Sequence, residues 1–470
     1  MNTQIPAKKL RPNSVEARAV ASVLHPYTDL LGHLTAGPVV MSHGKGVRVW
    51  DENGREYYES VAGLWCASLG FSNERLVKAA AVQMRVLPFY HAFTAKSHVP
   101  MIELAEMLIA RSPVPMDRVF FANSGSEAND SAIKMVWYMN NALGRTQKKK
   151  IIGRIKGYHG ITIASGSLTG LPNNHRSFDI PLPGFIHTMT PHFYHAGLPG
   201  ETEEQFATRC AEELDKLIIA EGPETVAAFW AEPIMGAGGV ILPPAGYFPK
   251  IQAVLKKHDV LMVADEVICG FWRTGNYWGS QTLDIEPDIL VCAKALSAAY
   301  MPISAVMVNE RVFAALADES HKIGTFGHGY TYSGHPVAAA VAIETLKIYD
   351  EIEIGAHVGM VGPHLQSELR RRFADHPLVG EVRGIGLIGA MELVADKAAH
   401  RNFDPALKIG PRLVKLCEEN GVIGRGLPND SLAFSPPLII TAEEIDTILD
   451  RVSKALDELL SQLRHEGVVA

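Results

Sequence analysis

The chain has 470 residues, 47% of them hydrophobic and 20% charged, a globular composition with apolar material for a large core and, at roughly 150 residues per domain, about three units or two large ones. Disorder, collagen and coiled coil are excluded as the main architecture. A net charge of -7, from 44 basic and 51 acidic residues with no long basic run, makes nucleic acid a poor partner.

The first thirty residues are polar and punctuated by proline, without the apolar stretch of a secretory signal. The five cysteines include no C-x-x-C pair, which argues against a disulfide framework or a zinc–cysteine site and for a reducing compartment. A cytoplasmic location is the expectation. Residues 1–65 read as an arm and a small hairpin, 47–50 and 56–59 about the turn 51–54, contributing to a smaller domain. Residues 66–335 read as one large domain. Short apolar runs at 118–122, 150–155, 184–188, 226–231, 260–264, 288–293 and 303–308 predict strands, several without polar alternation, as in strands covered on both faces. Helical patterns at 127–141, 203–220 and 247–258 separate several of them. This order predicts an α/β fold, a doubly wound, mostly parallel sheet of seven strands. Residues 289–308 are apolar enough to imitate a membrane span, but Lys294 and Pro302 interrupt them, and two buried strands joined by a loop explain the run better. Residues 336–470 read as a smaller α+β domain: helices at 336–350, 359–373 and 407–420, a strand pair around 380–394, short strands near 422 and 432, and a last helix opened by the capping box Thr441-Ala442-Glu443-Glu444.

In open α/β sheets ligands gather at the carboxyl ends of the strands. After the first strand stands Asn123-Ser124-Gly125-Ser126-Glu127-Ala128-Asn129 and then a helix, which suits either plain N-capping or an anion. After the second comes Gly157-Tyr158-His159-Gly160, where an aromatic ring can face a flat ligand or merely pack on its loop. Glu232-Pro233 ends the fourth strand and Asp265-Glu266 the fifth. Without a G-x-x-x-x-G-K-[ST] loop a magnesium–nucleotide reading fails. After the sixth comes Lys294, 29 residues beyond Asp265, so that both can reach one cleft. A buried lysine loses its charge easily, which suits a nucleophile or base. A lysine snorkelling from a strand end is the plainer alternative. The G-x-G-x-x-G run at 384–389 is followed by a strand pattern, not a helix, and is not a dinucleotide site. His192, His195 and the other histidines show no metal-ligand spacing and read as surface or core residues, with no metal expected.

An anion site at a helix start, an aromatic platform, a strand-end aspartate and a buried lysine are the parts of a pyridoxal-phosphate site. With Ala231-Glu232-Pro233-Ile234, Ala293-Lys294-Ala295-Leu296-Ser297 and Tyr330-Thr331-Tyr332-Ser333-Gly334-His335-Pro336, the chain resembles, over nearly its whole length, the class III (ω-) aminotransferases of PLP fold type I, in particular the amine–pyruvate and β-alanine–pyruvate subgroup. The resemblance implies pyridoxal 5'-phosphate as cofactor, with Lys294 as its Schiff-base lysine and Asp265 as the partner of the pyridine nitrogen. It implies Val267 and Tyr158 on the two ring faces, and Ser124, Gly125 and Ser126 at the phosphate. Thr331 would reach the phosphate of a neighbouring subunit, making a homodimer with shared sites, or a tetramer. Trp65 and Tyr158 would line the substrate pocket, and Arg425 would bind a substrate carboxylate. Ala295 stands where the family commonly has glycine. Ornithine- and γ-aminobutyrate-type relatives pair that arginine with a glutamate five residues after the glutamate of E-P-I; here the position is Ala237. The reaction expected is ping-pong transfer of an amino group from an amine or ω-amino acid to pyruvate or a similar keto acid. The rivals are another fold-type-I enzyme, such as an aminomutase or decarboxylase, and a non-catalytic α/β binding protein.

Overall fold

The structure, a computed structural model, describes residues 10–469; the first nine residues of the expected arm lie outside the described residues. Its centre is a sheet of seven strands: β1 (Arg118–Ala122), β2 (Lys150–Arg154), β3 (Phe185–Thr188), β4 (Val226–Ala231), β5 (Leu261–Asp265), β6 (Ile289–Cys292) and β7 (Ser304–Val308), in the spatial order β1-β7-β6-β5-β4-β2-β3. β7 is antiparallel to β1 and β6, and the other neighbours are parallel. The fold is the α/β, mostly parallel seven-stranded sheet expected. Every residue of β4 is buried, because Ala228 and Trp230 face one helical layer and Phe229 and Ala231 the other. The first layer is the helix Gly125–Ala142, with Ala128, Ile133 and Val136 inward; the second is Glu203–Glu221 and Tyr247–Lys257, with Phe206, Leu214 and Ile251 inward. The chain from 289 to 308 forms two strands joined by a loop, and no described helix is long and apolar enough to cross a membrane.

The strand at 288–293 stops at Cys292, earlier than its apolar run suggests, because Lys294 turns out of the sheet with φ +51° into a short 3-10 helix. The helix expected from 359 begins at Ile354, since Ile354 and Val358 join the buried face of Ile354–Phe373. The hairpin Arg48–Asp51/Glu56–Glu59 carries a third strand, Met41–Lys45, whose mostly exposed residues give no alternation to read. Val422–Ile423, from the other end of the chain, lies parallel to Glu56–Glu59 and completes that sheet. A third sheet joins Val379–Ile385, Ile388–Leu393, Ser431–Phe434 and Arg425–Leu427. The glycine-rich run at 384–389 is its hairpin, and Gly386, at φ +54°, lets the turn approach the 273–275 backbone, where a Cβ would stand 2.6 Å from the Thr274 carbonyl carbon. The last helix, Ala442–His465, has the expected Thr441/Glu444 capping box and buries Ile445, Ile448, Leu449, Val452, Leu456, Leu459 and Leu463.

An ion cluster ties this last sheet to the central one. Arg383 donates to Glu381 (2.6 Å) and Glu392 (2.8 Å), and through Nε and Nη2 to the Gly239 carbonyl, at 2.9 and 2.6 Å. Glu381 also bonds His192 at 2.8 Å, and Glu392 bonds His195. Far from being unremarkable, these histidines meet glutamates nearly two hundred residues away, a pairing that no local spacing signals. His192, His195 and Glu392 lie close enough together to hold a metal ion, but the guanidinium already supplies the positive charge there. Glu392 is held down at about 2, because His195 and Arg383 outweigh its burial. Replacing Arg383 by methionine leaves these carboxylates without their cation. We expect a loss of about 3 kcal/mol of stability, seen as a lowered urea midpoint, whereas breaking an exposed pair such as Lys322–Asp318 should leave the midpoint nearly unchanged.

Candidate functional site

A cavity of about 180 Å³ opens at the carboxyl ends of β4, β5 and β6, lined by Gly125, Ser126, Asn129, Tyr158, His159, Gly160, Glu232, Asp265, Val267, Ile268 and Lys294. Sequence-distant candidates therefore meet. Gly125, Ser126, Tyr158, Asp265, Val267 and Lys294 all line it. Ser124 does not line it: its hydroxyl caps the helix by accepting from Glu127 N at 3.2 Å. The first-turn N–H groups at Gly125 and Ser126 begin an eighteen-residue helix, and helix starts attract anions. Gly125 must stay small, since a Cβ there would stand 3.2 Å from both methyls of Val267.

Asp265 ends β5 with its carboxylate 3% exposed. Oδ2 accepts from Asn129 Nδ2 (2.9 Å) and His159 Nδ1 (2.8 Å), and Oδ1 from Val267 N (3.1 Å). With an acceptor on Nδ1, that nitrogen carries the imidazole proton. Asn129 is itself fixed, donating to the His159 carbonyl and accepting from Trp230 Nε1. Glu232 is buried and spans two elements, accepting from Tyr158 N and Gly236 N, both at 2.9 Å. Burial raises its pKa. Burial likewise lowers Lys294 from the ordinary lysine value, against the pull of Cys66, Asp265 and Glu232.

The adjoining wall is Trp65. Its ring centre lies 5.3 Å from Lys294 Nζ and 5.1 Å from the Arg425 guanidinium carbon, so one indole faces two cations. Arg425 lies in the strand Arg425–Leu427; its buried Nε has no hydrogen-bond partner, and burial lowers its pKa. Tyr158 is raised first by burial and then by Tyr27, whose hydroxyl stands beside its own and accepts from Asn174 at 2.6 Å. Thr331 is exposed and does not reach this cavity in its own chain. The sequence reading assigned no role to Asn129, His159 or Tyr27. The first two lay in plain view within the motifs, Asn129 one helical turn past Gly125 and so on the same face. Tyr27 carries no local signal.

This arrangement suits pyridoxal 5'-phosphate. A half-desolvated amine, a fixed carboxylate, a branched side chain and a phenol ring surround a slot that ends at a helix N-terminus with a glycine where a side chain would intrude. The profile of the class III aminotransferase family matches residues 33–456. A tomato (Solanum lycopersicum) mitochondrial gamma-aminobutyrate transaminase is 49% identical over 438 residues, covering 92% of this chain and 85% of the relative. The ω-transaminase of Pseudomonas jessenii in complex with PMP superposes with a TM-score of 0.94 at 53% identity, covering 96% of this chain and 99% of that one. A transaminase solved with L-Ala superposes with a TM-score of 0.89 at 55% identity, covering 90% of this chain and all of that one.

Proposed function

The chain belongs to the class III aminotransferase family and is a pyridoxal-phosphate-dependent aminotransferase, and we propose that it moves an amino group from an amine or ω-amino acid to pyruvate. Bound pyridoxal 5'-phosphate supplies the carbonyl carbon that carries the amino group and the ring that spreads the charge left on the substrate carbon. Lys294 would hold the cofactor and afterwards carry the proton at Nζ between the two carbons involved; its lowered pKa makes a neutral amine accessible for this. Asp265, locked by three N–H donors, would hold the proton on the ring nitrogen. Tyr158 and Val267 would flank the ring. Gly125 and Ser126 would take the phosphate, with Ser124 supporting them as the helix cap. Exposed Thr331 would serve the phosphate of a second copy, and the exposed aromatic side chains of Phe89, Tyr90, Phe93 and Tyr332 are the kind of surface that a homodimer covers. In this reading residues 66–335 carry the cofactor, and 1–65 with 336–470 supply the substrate side.

The observation that carries the substrate assignment is Arg425. Its guanidinium rests on Trp65 with no carboxylate partner among the described residues, and Ala237 leaves the turn beyond Glu232 without a glutamate to neutralise it. A half-buried guanidinium on an aromatic face, with the phenols of Tyr27 and Tyr158 as its other neighbours, is ready for a carboxylate. Pyruvate and its amino product L-alanine bring one, as do ω-amino acids such as the γ-aminobutyrate of the tomato relative's name. A simple amine brings none and can share the pocket by leaving the arginine on the indole.

Three outcomes test this. Purified protein loaded with pyridoxal phosphate should show a visible absorption band from the lysine linkage, and Lys294→Ala should lose both that band and amine–pyruvate turnover while keeping its melting temperature; turnover at the normal rate would refute the role. Asp265→Asn keeps the shape and removes the charge, and should slow the amine half-reaction about a hundredfold or more, the scale of one preorganised electrostatic contact. Arg425→Ala should raise KM for pyruvate at least tenfold while changing the half-reaction with an uncharged arylalkylamine less than threefold; equal damage to both halves would make Arg425 structural.

A further inference from the structure

Trp65 stands on a stretch of backbone that its sequence does not favour. Ala62, Gly63 and Trp65 all have positive φ, +47°, +69° and +60°. For alanine and tryptophan that region is sterically costly, and such conformations persist only where the surroundings over-determine them. The surroundings on one side are plain. Ser60 N and Oγ both donate to the Ile423 carbonyl, at 3.1 and 2.7 Å, and Val61 packs with Ile234, Val240 and Ile268. The other hold is Glu59, the last residue of the strand Glu56–Glu59. Its side chain reaches forward along the chain, and Oε1 accepts from Val61 N at 3.0 Å. The Gly63 N–H also bears on the same carboxyl.

Glu59 is otherwise unexplained. It is 5% exposed, and no ion pair to it exists among the described residues. Burial pushes its carboxyl up to about 7 against the pull of the two backbone N–H groups. A glutamate buried without a cation is expensive, so an apolar residue would serve the strand better unless the carboxyl is needed by the loop.

We propose that Glu59 is a positioning residue: its carboxyl holds the strained 61–65 turn so that the Trp65 indole stays between Lys294 and Arg425, and it thereby shapes the donor side of the pocket without touching substrate or cofactor. This rests on the reading of Trp65 as a wall of the substrate pocket. Because Trp65 faces Lys294 and Arg425 together, a loosened turn disturbs how both substrates sit more than it disturbs the chemical step.

The test pairs Glu59→Leu, which removes the acceptor at similar size, with Glu59→Gln, which keeps one acceptor oxygen, each made with and without Trp65→Ala. In the holoenzyme, Glu59→Leu should raise the amine KM tenfold or more with kcat within threefold, and Glu59→Gln should restore most of the loss. In the Trp65→Ala background, Glu59→Leu should add less than twofold, because the carboxyl then has no ring to place. Near-ultraviolet circular dichroism supplies a readout that needs no turnover: the contribution of Trp65, taken as the difference between proteins with and without the ring, should collapse in Glu59→Leu and return in Glu59→Gln. An unchanged KM, a KM loss of equal size in the absence of Trp65, or an intact Trp65 signal in Glu59→Leu would each overturn the proposal. Should Glu59→Leu not fold, Glu59→Asp, which draws the acceptor back by one carbon, must show the same Trp65-dependent KM rise and dichroism loss, and failing that the proposal falls. If the wild-type enzyme does not turn over amine and pyruvate, the substrate reading fails, and the dichroism arm still decides the role of Glu59.

Discussion

The carboxylate of Asp265 is where the architecture converges. It is the last residue of β5, and it accepts hydrogen bonds from Asn129 on the helix after β1, from His159 in the turn after β2 and from its own Val267 N–H. Each donor comes from the carboxyl end of a different strand. The three can meet only if the strands hold the order in which β5 lies between β4 and β6, with the helix Gly125–Ala142 packed across the same face. The buried strands supply this rigidity: their side chains interdigitate with helices on both faces, and neither sliding nor twisting is free. A carboxylate bound in this way is held in one orientation, and in the role proposed for it, beside the ring nitrogen, its charge would need no reorganisation when charge develops.

A second layer acts through backbone. Glu232 joins Tyr158 N to Gly236 N, and the turn from 236 to 240 is gripped in turn by Arg383 through the Gly239 carbonyl. The cluster of Arg383, Glu381, Glu392, His192 and His195 therefore does more than fasten two sheets together. It also fixes the turn that holds Ala237. Gly238 shows how tight this is, since a Cβ there would stand 2.2 Å from the Lys156 carbonyl oxygen. Small residues in this turn let main chain pack on main chain.

Much of this was legible in the sequence because it is local. Uninterrupted apolar runs marked the buried strands, capping residues marked the helices Gly125–Ala142 and Ala442–His465, and the chemistry-bearing residues stood one after another at strand ends. The resemblance carried by those motifs named the family. What was not legible depends on contacts across the chain. The strand Val422–Ile423 completes a sheet begun by residues 41–59, and Tyr27 reaches the phenol of Tyr158; neither shows in any window of neighbouring residues. The histidines at 192 and 195 looked ordinary because their glutamates follow almost two hundred positions later. Ser124 was legible as a helix cap and as a phosphate ligand, and the structure gives the cap.

On the proposed function, Arg425 and Trp65 would let one pocket accept two kinds of substrate. An ungated guanidinium is unfavourable whenever the ligand beside it has no charge, and the structure offers a place for it on the indole face, 5.1 Å from the ring centre. A cation over an aromatic face is stabilised by about 0.5–2 kcal/mol depending on desolvation, less than a charge-assisted bidentate bond to a carboxylate provides. Under that proposal the arginine would rest on Trp65 while an uncharged amine reacts and leave it for a keto acid, without a glutamate to release it. The same ring lies 5.3 Å from Lys294 Nζ, so the residue proposed to store the arginine also borders the proposed cofactor lysine. On this proposal Trp65 contributes both an aromatic face and its place, and the strained turn beneath it, with Ala62, Gly63 and Trp65 at positive φ, is the cost of holding a large ring beside both side chains.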